Sequence, residues 1–281
     1  MLVLGFSWPL FALARFAIGS ELYSYILLVP LISAALAWRK RDSLLPAGMP
    51  ARPMAALPLA AGVLLLGADG LAPALGVKLA PDDALALVSL SFVGLLAAIG
   101  LFFLGRQTAS ALAFPLGFLV FLAPMPVALV GGIENFLQHG SAAVAWALFR
   151  ITGTSVYYHD LIFQLPGISL QVAPECSGIH SSLVLFLTSL LAGHLYLRSM
   201  RNRAILALAV IPLALLRNGL RVFTIGELCV QIGPEMIDSY IHRRGGPIFF
   251  ALSLGPFFLL LFFLVKWDRS RWRAPSPARG T

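Results

Sequence analysis

The thiol of Cys176 is the side chain in this sequence best suited to covalent chemistry. It follows Pro174 and precedes a long apolar run, a pattern that predicts a position in the first turn of a helix. The positive end of a helix favours the thiolate, which is the nucleophilic form of cysteine. Glu175 opposes this effect unless a cation lies nearby. An inert thiol buried in the core is the competing interpretation.

A pair of arginines is the second feature with chemical potential. Arg217 and Arg221 are four residues apart, so on a helix they share one face. Two guanidinium groups on one face bind an anion or a carboxylate, and they equally suit the stabilisation of an oxyanion. The competing interpretation is that Arg221 lies at a membrane interface and reaches the lipid head groups.

Two histidines are candidates for an acid and base that would serve the thiol. His180 follows Cys176 by four residues, so on a continuous helix their Cβ atoms would lie about 5–6 Å apart. His242 precedes the last apolar segment of the chain. The sequence does not choose between these two histidines. No metal-ligand spacing, P-loop or Gly-x-Ser-x-Gly motif occurs, so we expect neither a metal nor a cofactor.

The composition indicates a membrane protein. Of the 281 residues, 59% are hydrophobic and 11% are charged, whereas soluble domains have about 45–50% and about 25%. These values exclude a soluble globular chain and a disordered one. Since a helix needs about 20 apolar residues to cross a bilayer, we predict an all-α polytopic fold with about eight transmembrane helices. The predicted spans are 2–18, 22–38, 54–70, 84–104, 109–130, 179–197, 204–223 and 247–265.

The distribution of charge predicts the orientation of these spans. Eight spans place 13 of the 20 basic residues on one side with two acids, a sum of +11, and leave −3 elsewhere. The positive-inside rule makes the +11 side cytoplasmic, together with both termini. The net charge of +8 therefore encodes orientation, and we expect no nucleic-acid partner. We predict one integral-membrane domain over 1–265 and a basic, disordered cytoplasmic tail over 266–281.

The segment 131–178 is too long for a simple turn between spans. Its first part, 133–151, has the apolar spacing of a helix that lies in the interface. Three short β-prone runs follow at 156–158, 161–165 and 168–172, with turns between them. We therefore predict a small extracytoplasmic β-prone insertion directly before the helix of Cys176. On this topology Cys176, both arginines and His242 share the outer side.

In their order along the chain, these motifs resemble the exosortase/archaeosortase family of multipass membrane transpeptidases, from about residue 20 to 265. The cysteine motif is VAPECSGI at 172–179, the Asn-x-x-Arg motif is NGLR at 218–221, and His242 stands ahead of Gly245-Gly246. Supporting signals are YSY at 23–25 and PMP at 124–126. The chain departs from the family in having His180 where arginine is frequent and in lacking a histidine after Tyr25. Both departures concern the substrate subtype more than the class of reaction.

The resemblance implies an enzyme of the bacterial inner membrane that processes C-terminal sorting signals of the PEP-CTERM type. Such a signal has a short motif, a transmembrane helix and a basic cluster. Cys176 would form a thioester with the exported protein, Arg221 would stabilise the oxyanion or orient the thiolate, and His242 would act as acid and base. The protein would then pass to an exopolysaccharide or lipid acceptor that the sequence does not identify. Supporting or substrate-binding roles would fall to Glu175, Ser177, Gly178, His180, Arg217 and Asn218.

Two other classes of function remain open at this stage. A transporter of anions or small solutes would use Arg217 and Arg221 for binding, although the chain shows no inverted repeat. A catalytically inactive scaffold is the other alternative. A disulfide between Cys176 and Cys229 in an oxidising compartment would likewise exclude nucleophilic chemistry.

Overall fold

Helices dominate the computed structural model, which describes residues 1–41, 52–174, 177–239 and 245–273. A three-stranded sheet interrupts them between the seventh and eighth helices. Short 3-10 helices cover Ser24–Leu27, Leu119–Leu122 and Pro234–Asp238. The α-helices are α1 (Leu2–Gly5), α2 (Ser7–Gly19), α3 (Val29–Arg39), α4 (Arg52–Leu71), α5 (Pro81–Ala111), α6 (Ala113–Phe118), α7 (Val127–Thr152), α8 (Ile179–Tyr196), α9 (Met200–Leu208), α10 (Val210–Gln231) and α11 (Gly246–Arg273).

The described residues contain five helices that are long and apolar enough to cross a membrane. A sixth span results if the bent pair Ala113–Leu122 and Val127–Thr152 counts as one. The chain is thus a polytopic membrane protein, but the predicted count of eight is not confirmed. The predicted spans 2–18 and 22–38 fall on shorter helices that do not meet the length requirement. The five long helices are Pro53–Leu71, Pro81–Ala111, Ile179–Tyr196, Met200–Gln231 and Gly246–Ser270.

Helix α5 is interrupted near its end by a glycine. Gly105 is buried and has a φ of 77°, a left-handed conformation that side chains other than glycine rarely adopt. The interruption falls next to residue 104, where the fourth predicted span ends. The apolar run therefore marks the end of the straight helix, although the backbone continues helical beyond the kink.

The chain divides into two compact units, Met1–Val130 and Gly131–Thr281. In the first unit, α4 and α5 pack closely, because Gly62 and Gly94 face each other and Ser91 donates a hydrogen bond to the carbonyl of Gly62 at 2.8 Å. The turn after the second 3-10 helix is held from two sides. Tyr23 donates to the carbonyl of Met125 at 3.1 Å, and Asp83 accepts from the N–H of Val127 at 3.0 Å.

The second unit contains the sheet. Strands β1 (Tyr157–His159), β2 (Ile162–Leu165) and β3 (Ile168–Gln171) form an antiparallel meander in the order β1-β2-β3. Strands β2 and β3 lie within the predicted runs 161–165 and 168–172, whereas β1 is shifted by one residue from the run 156–158 and includes His159, where a turn was predicted. Their inner face packs against α7 and α10 around two fully buried aromatic rings, Phe149 and Phe163. The sheet is therefore anchored to the helices rather than freestanding.

The opposite end of the second unit is organised by one buried acid. Asp268 is 4% exposed and accepts hydrogen bonds from the N–H groups of Arg198 and Ser199 and from the amide of Asn202. It therefore satisfies donors at the start of α9 that would otherwise lack partners. Helix α11 continues to Arg273, so residues 266–273, assigned to the disordered tail from the sequence, are helical. Burial of Asp268 supplies a physical reason for this extension.

Candidate active site

The candidate residues fall on three segments that the structure describes to different extents. Glu175, Cys176 and His242 lie outside the described residues. The remaining predicted site residues are described. They are Ser177, Gly178, His180, Arg217, Asn218 and Arg221.

The backbone that follows the cysteine forms a tight turn into α8. Ser177 is 1% exposed, and its N–H donates to the carbonyl of Pro174 at 2.9 Å. Gly178 has a φ of 72° and is the N-cap of the helix, which begins at Ile179. The helix therefore starts after the cysteine, whereas the sequence predicted the cysteine within the first turn. The left-handed glycine is the physical reason, because it ends the helical path on its N-terminal side.

This turn also changes the comparison between the two histidines. His180 lies on the first turn of α8 and is exposed. Since Gly178 interrupts the helix before it, the continuous helix assumed for a Cys176–His180 pair does not exist. The spacing of about 5–6 Å expected for an i, i+4 pair is thus no longer an argument for His180.

Arg217 fastens the turn to α10. The residue is only 7% exposed, and its Nη2 donates to the carbonyl of Gly178 and to the hydroxyl of Ser182, each at 3.1 Å. Burial of a charged group is costly unless it is hydrogen-bonded, so these contacts are strong constraints on the turn. Within the described residues, Nη1 of the same guanidinium has no hydrogen-bond partner.

Two physical requirements explain the glycine at position 178. A Cβ at this position would lie 2.8 Å from Nη2 of Arg217 and 3.3 Å from Oδ1 of Asn218. The positive φ separately disfavours any L side chain. The cysteine motif and the Asn-x-x-Arg motif, some 40 residues apart in sequence, thus meet directly at this glycine.

The two arginines have different surroundings. Arg217 is committed to the turn, whereas Arg221 lines a small pocket with Asn218 and the end of β3. The pocket is small, with a cavity volume of about 20 Å³, which is room for roughly one water molecule. Its lining residues are Leu170, Gln171, Val172, Asn218, Arg221, Val222 and Ile225. Arg217 and Arg221, which the sequence places on one helix face, therefore have different roles in the structure. Arg217 holds the turn, and Arg221 lines the pocket.

Close helix packing positions α10. A Cβ on Gly219 would lie 2.5 Å from Cγ1 of Val144 and 2.9 Å from the carbonyl of Ser141, both on α7. A Cβ on Gly226, two turns later, would lie 2.5 Å from the ring of Phe149. Glycine at both positions lets α7 approach the backbone of α10, which sets the direction of the Asn218 and Arg221 side chains.

One contributor to the site was not expected from the sequence. Gln138 on α7 is buried, and its amide donates to the carbonyl of Val172 at 3.0 Å, directly before the cysteine loop. A polar residue among the apolar positions of 133–151 was the available signal. Its partner could not be inferred, because the contact spans 34 residues.

Cys229 is a free and buried thiol. It packs in the apolar core between α10 and the sheet. This finding removes the basis for a structural disulfide through Cys229. In the part of the chain that the structure describes, no group of three or more His, Cys, Asp or Glu residues is arranged to hold a metal ion.

A comparison with protein families identifies the chain. The family model described as Transmembrane exosortase (Exosortase_EpsH) matches residues 16–270, which is most of the 281 residues. The chain belongs to the transmembrane exosortase family. The matched region includes all three segments of the candidate exosortase site. Neither the curated proteins nor the solved structures contain a match to this exosortase-family chain.

Proposed function

We propose that this exosortase-family protein is a membrane cysteine transpeptidase that cleaves C-terminal sorting signals of exported proteins. The observation that carries the proposal is the contact of Arg217 with Gly178, because it joins the segment of Cys176 to the helix of Arg221. A nucleophile and a cation on separate segments need such a link to act on one carbonyl group.

The reaction begins with the thiolate of Cys176. It attacks the scissile carbonyl carbon, and the carbonyl electron pair moves onto oxygen, where Arg221 stabilises the negative charge. When the carbonyl re-forms, the C–N bond breaks, and His242 in its protonated form donates a proton to the leaving amine. The product is a thioester between Cys176 and the exported protein, together with the released sorting helix.

The second half of the reaction transfers the acyl group. A hydroxyl or amine of the acceptor attacks the thioester carbon, and neutral His242 takes its proton. The C–S bond breaks and releases the Cys176 thiolate, with His242 protonated, which is the state in which the reaction began. An exopolysaccharide or a membrane lipid is the acceptor in this proposal, and water in its place would give hydrolysis.

The proposed location is the bacterial inner membrane, with both termini in the cytoplasm and the site at the outer face. The described turn of Ser177 and Gly178 precedes α8, one of the five long apolar helices. A sorting helix that entered laterally from the bilayer would present its adjoining motif at this level. Gly178 and Ser177 support the turn, and Asn218 borders the pocket beside Arg221.

The test is substitution of the nucleophile, Cys176→Ala, in cells that carry a tagged protein with a sorting signal. We expect the shortened product to disappear, because no other group supplies the thioester. Cys229→Ser is the matched control, since Cys229 is buried in the core beside the sheet, and it should retain processing. Mass spectrometry of the new C-terminus distinguishes transfer from hydrolysis.

Processing by the Cys176→Ala variant at the wild-type rate would contradict the assignment of Cys176 as the nucleophile. A maleimide that does not cross the inner membrane provides an independent check of reactivity. In cells whose outer membrane has been permeabilised, it should label Cys176 without prior reduction. Labelling that occurs only after reduction would contradict a free thiol at the outer face.

A further inference from the structure

One edge of strand β3 pairs with no other strand among the described residues. The sheet order β1-β2-β3 makes β3 an outer strand whose only strand partner in the described chain is β2. Edge strands present backbone N–H and C=O groups in the geometry that a further strand would use. In an apolar environment, such groups are costly without partners.

The register identifies which groups point outward. The N–H of Val172 donates to the carbonyl of Leu161 at 2.9 Å, so the backbone of Val172 faces β2. Because backbone groups alternate along a strand, Leu170, paired with Phe163, also faces β2. The N–H and C=O groups of Ser169 and Gln171 therefore face away from the sheet.

These two residues are accessible. Ser169 and Gln171 are exposed, whereas Leu170 between them is buried in the core. The inner face of the strand is thus packed in the core, while no other described strand covers its outer edge. No backbone hydrogen bond to another described residue occupies the outward groups of this edge.

The outer edge of β3 is close in sequence to the candidate active-site residues. Cys176 follows Gln171 by five positions, a length of chain that spans at most about 18 Å. Gln171 lines the small pocket at the end of β3 together with Arg221 and Asn218. A strand added to this edge would therefore lie beside the pocket that Arg221 lines.

We propose that the edge of β3 binds an extended segment of the exported substrate as a fourth strand. The backbone groups of Ser169 and Gln171 form the ladder with the main chain of the segment. Strand addition suits a substrate whose residues near the cleavage point are extended, because affinity comes from the main chain and selectivity from alternate side chains. This inference rests on the proposed transpeptidase function.

The decisive variants are Gln171→Pro and Gln171→Ala. Proline removes the outward N–H but takes no ladder bond from β2, since that N–H does not face β2, and proline is accepted on such edges. Alanine removes the side chain and keeps the N–H. We expect Gln171→Pro to process substrate about tenfold more slowly than Gln171→Ala, the effect of losing about 1.4 kcal/mol.

Photo-crosslinking supplies a second measurement that does not depend on the proline variant being folded. A benzophenone amino acid is placed at Ser169 and, in a separate variant, at Tyr157 on β1, the other edge strand of the sheet. Both variants also carry Cys176→Ala, so that the substrate is bound but not processed. Tyr157 is exposed and serves as the matched control. We expect substrate to be captured from Ser169 and not from Tyr157.

Equal processing by the two Gln171 variants, or equal capture from both crosslinking positions, would overturn strand addition at β3. Failure of the underlying function has a different signature. In that case the wild-type protein leaves the substrate unprocessed, or Cys176→Ala processes it normally. If the wild-type protein is active but the two Gln171 variants do not differ, the transpeptidase function stands and only the proposal of strand addition at β3 is wrong.

Discussion

A buried guanidinium with two fixed acceptors behaves as a clamp. Arg217 holds the Gly178 carbonyl and the Ser182 hydroxyl through the same nitrogen, Nη2. The Gly178 carbonyl also accepts from the backbone N–H and hydroxyl of Ser182. Several donors thus converge on one carbonyl immediately after the cysteine, which restricts the positions that the cysteine loop can take. We assign Arg217 a positioning role and leave substrate contact to Arg221.

The clamp predicts the effect of Arg217→Lys. Lysine keeps the charge, but its side chain is shorter and flexible, so its ammonium group does not reach the position from which Nη2 donates to both acceptors. We expect processing to fall by about tenfold to hundredfold, as for a reacting group moved by about 1 Å, while the protein still accumulates in the membrane. Quantitative immunoblotting of product and enzyme measures both quantities.

Arg217→Met adds a readout that a purely structural role would not change. Arg217 contacts Gly178, two positions after Cys176 in sequence. If its charge favours the thiolate, its loss should move the pH midpoint for maleimide labelling of Cys176 upward. Arg217→Lys should restore the midpoint toward the wild-type value. An unchanged midpoint in Arg217→Met would show that the clamp does not influence the thiol.

At the scale of elements, the contact between α7 and α10 depends on glycines. Gly219 and Gly226 lie two turns apart on α10 and face Val144 and Phe149. Small residues at such contacts are typical of membrane helices, where close backbone approach replaces the hydrophobic driving force. The glycine of the Asn-Gly-x-Arg segment thus has a packing function between two residues of the site.

Substitution at this contact should be destabilising. Gly219→Ala introduces a Cβ 2.5 Å from Val144 and 2.9 Å from the backbone of Ser141, and overpacking of this kind costs about 1–3 kcal/mol. Gly132→Ala on α7 is the control, because a Cβ at that position would have no side chain or other helix of the described residues within 4 Å. We expect a lower midpoint of thermal unfolding in detergent for Gly219→Ala and no decrease for Gly132→Ala. Equal midpoints would contradict the close contact.

The long apolar helices and the three strands could be predicted because their signals are local: runs of about 20 apolar residues and short alternating runs. The meeting of Gly178 with Arg217 could not, because no local pattern encodes a contact across 39 residues. The start of α8 was misplaced for a related reason. The left-handed φ of Gly178 is maintained by that distant contact, whereas Pro174 was the stronger local signal for a helix start.

At the scale of the whole molecule, six spans and eight spans give the same sidedness. The two additional predicted spans, 2–18 and 22–38, are consecutive, so counting both or neither leaves every later segment on the same side. If the bent pair counts as one crossing, Arg198, Arg201 and Arg203 are expected on the same side as Arg106. Five crossings would separate these basic clusters and conflict with the positive-inside rule.

Reporter fusions test this topology. A fluorescent protein joined after residue 281 should fluoresce, because it would fold in the cytoplasm. Alkaline phosphatase joined after Thr154, ahead of the sheet, should be active, because it would lie outside. Phosphatase activity from a C-terminal fusion would instead favour an odd number of crossings and place the termini on opposite sides.

The acceptor role of Asp268 has a consequence for how the chain is made. Asp268 lies seventy residues after Arg198, whose N–H donates a hydrogen bond to the Asp268 carboxylate. At about 5–20 residues per second, the ribosome completes this interval only seconds after the turn between α8 and α9 has emerged. The last helix therefore closes an end of the protein that was synthesised earlier. A nascent chain that stops short of Asp268 would expose unfilled donors there, a mark by which quality-control proteases could separate incomplete chains from finished ones.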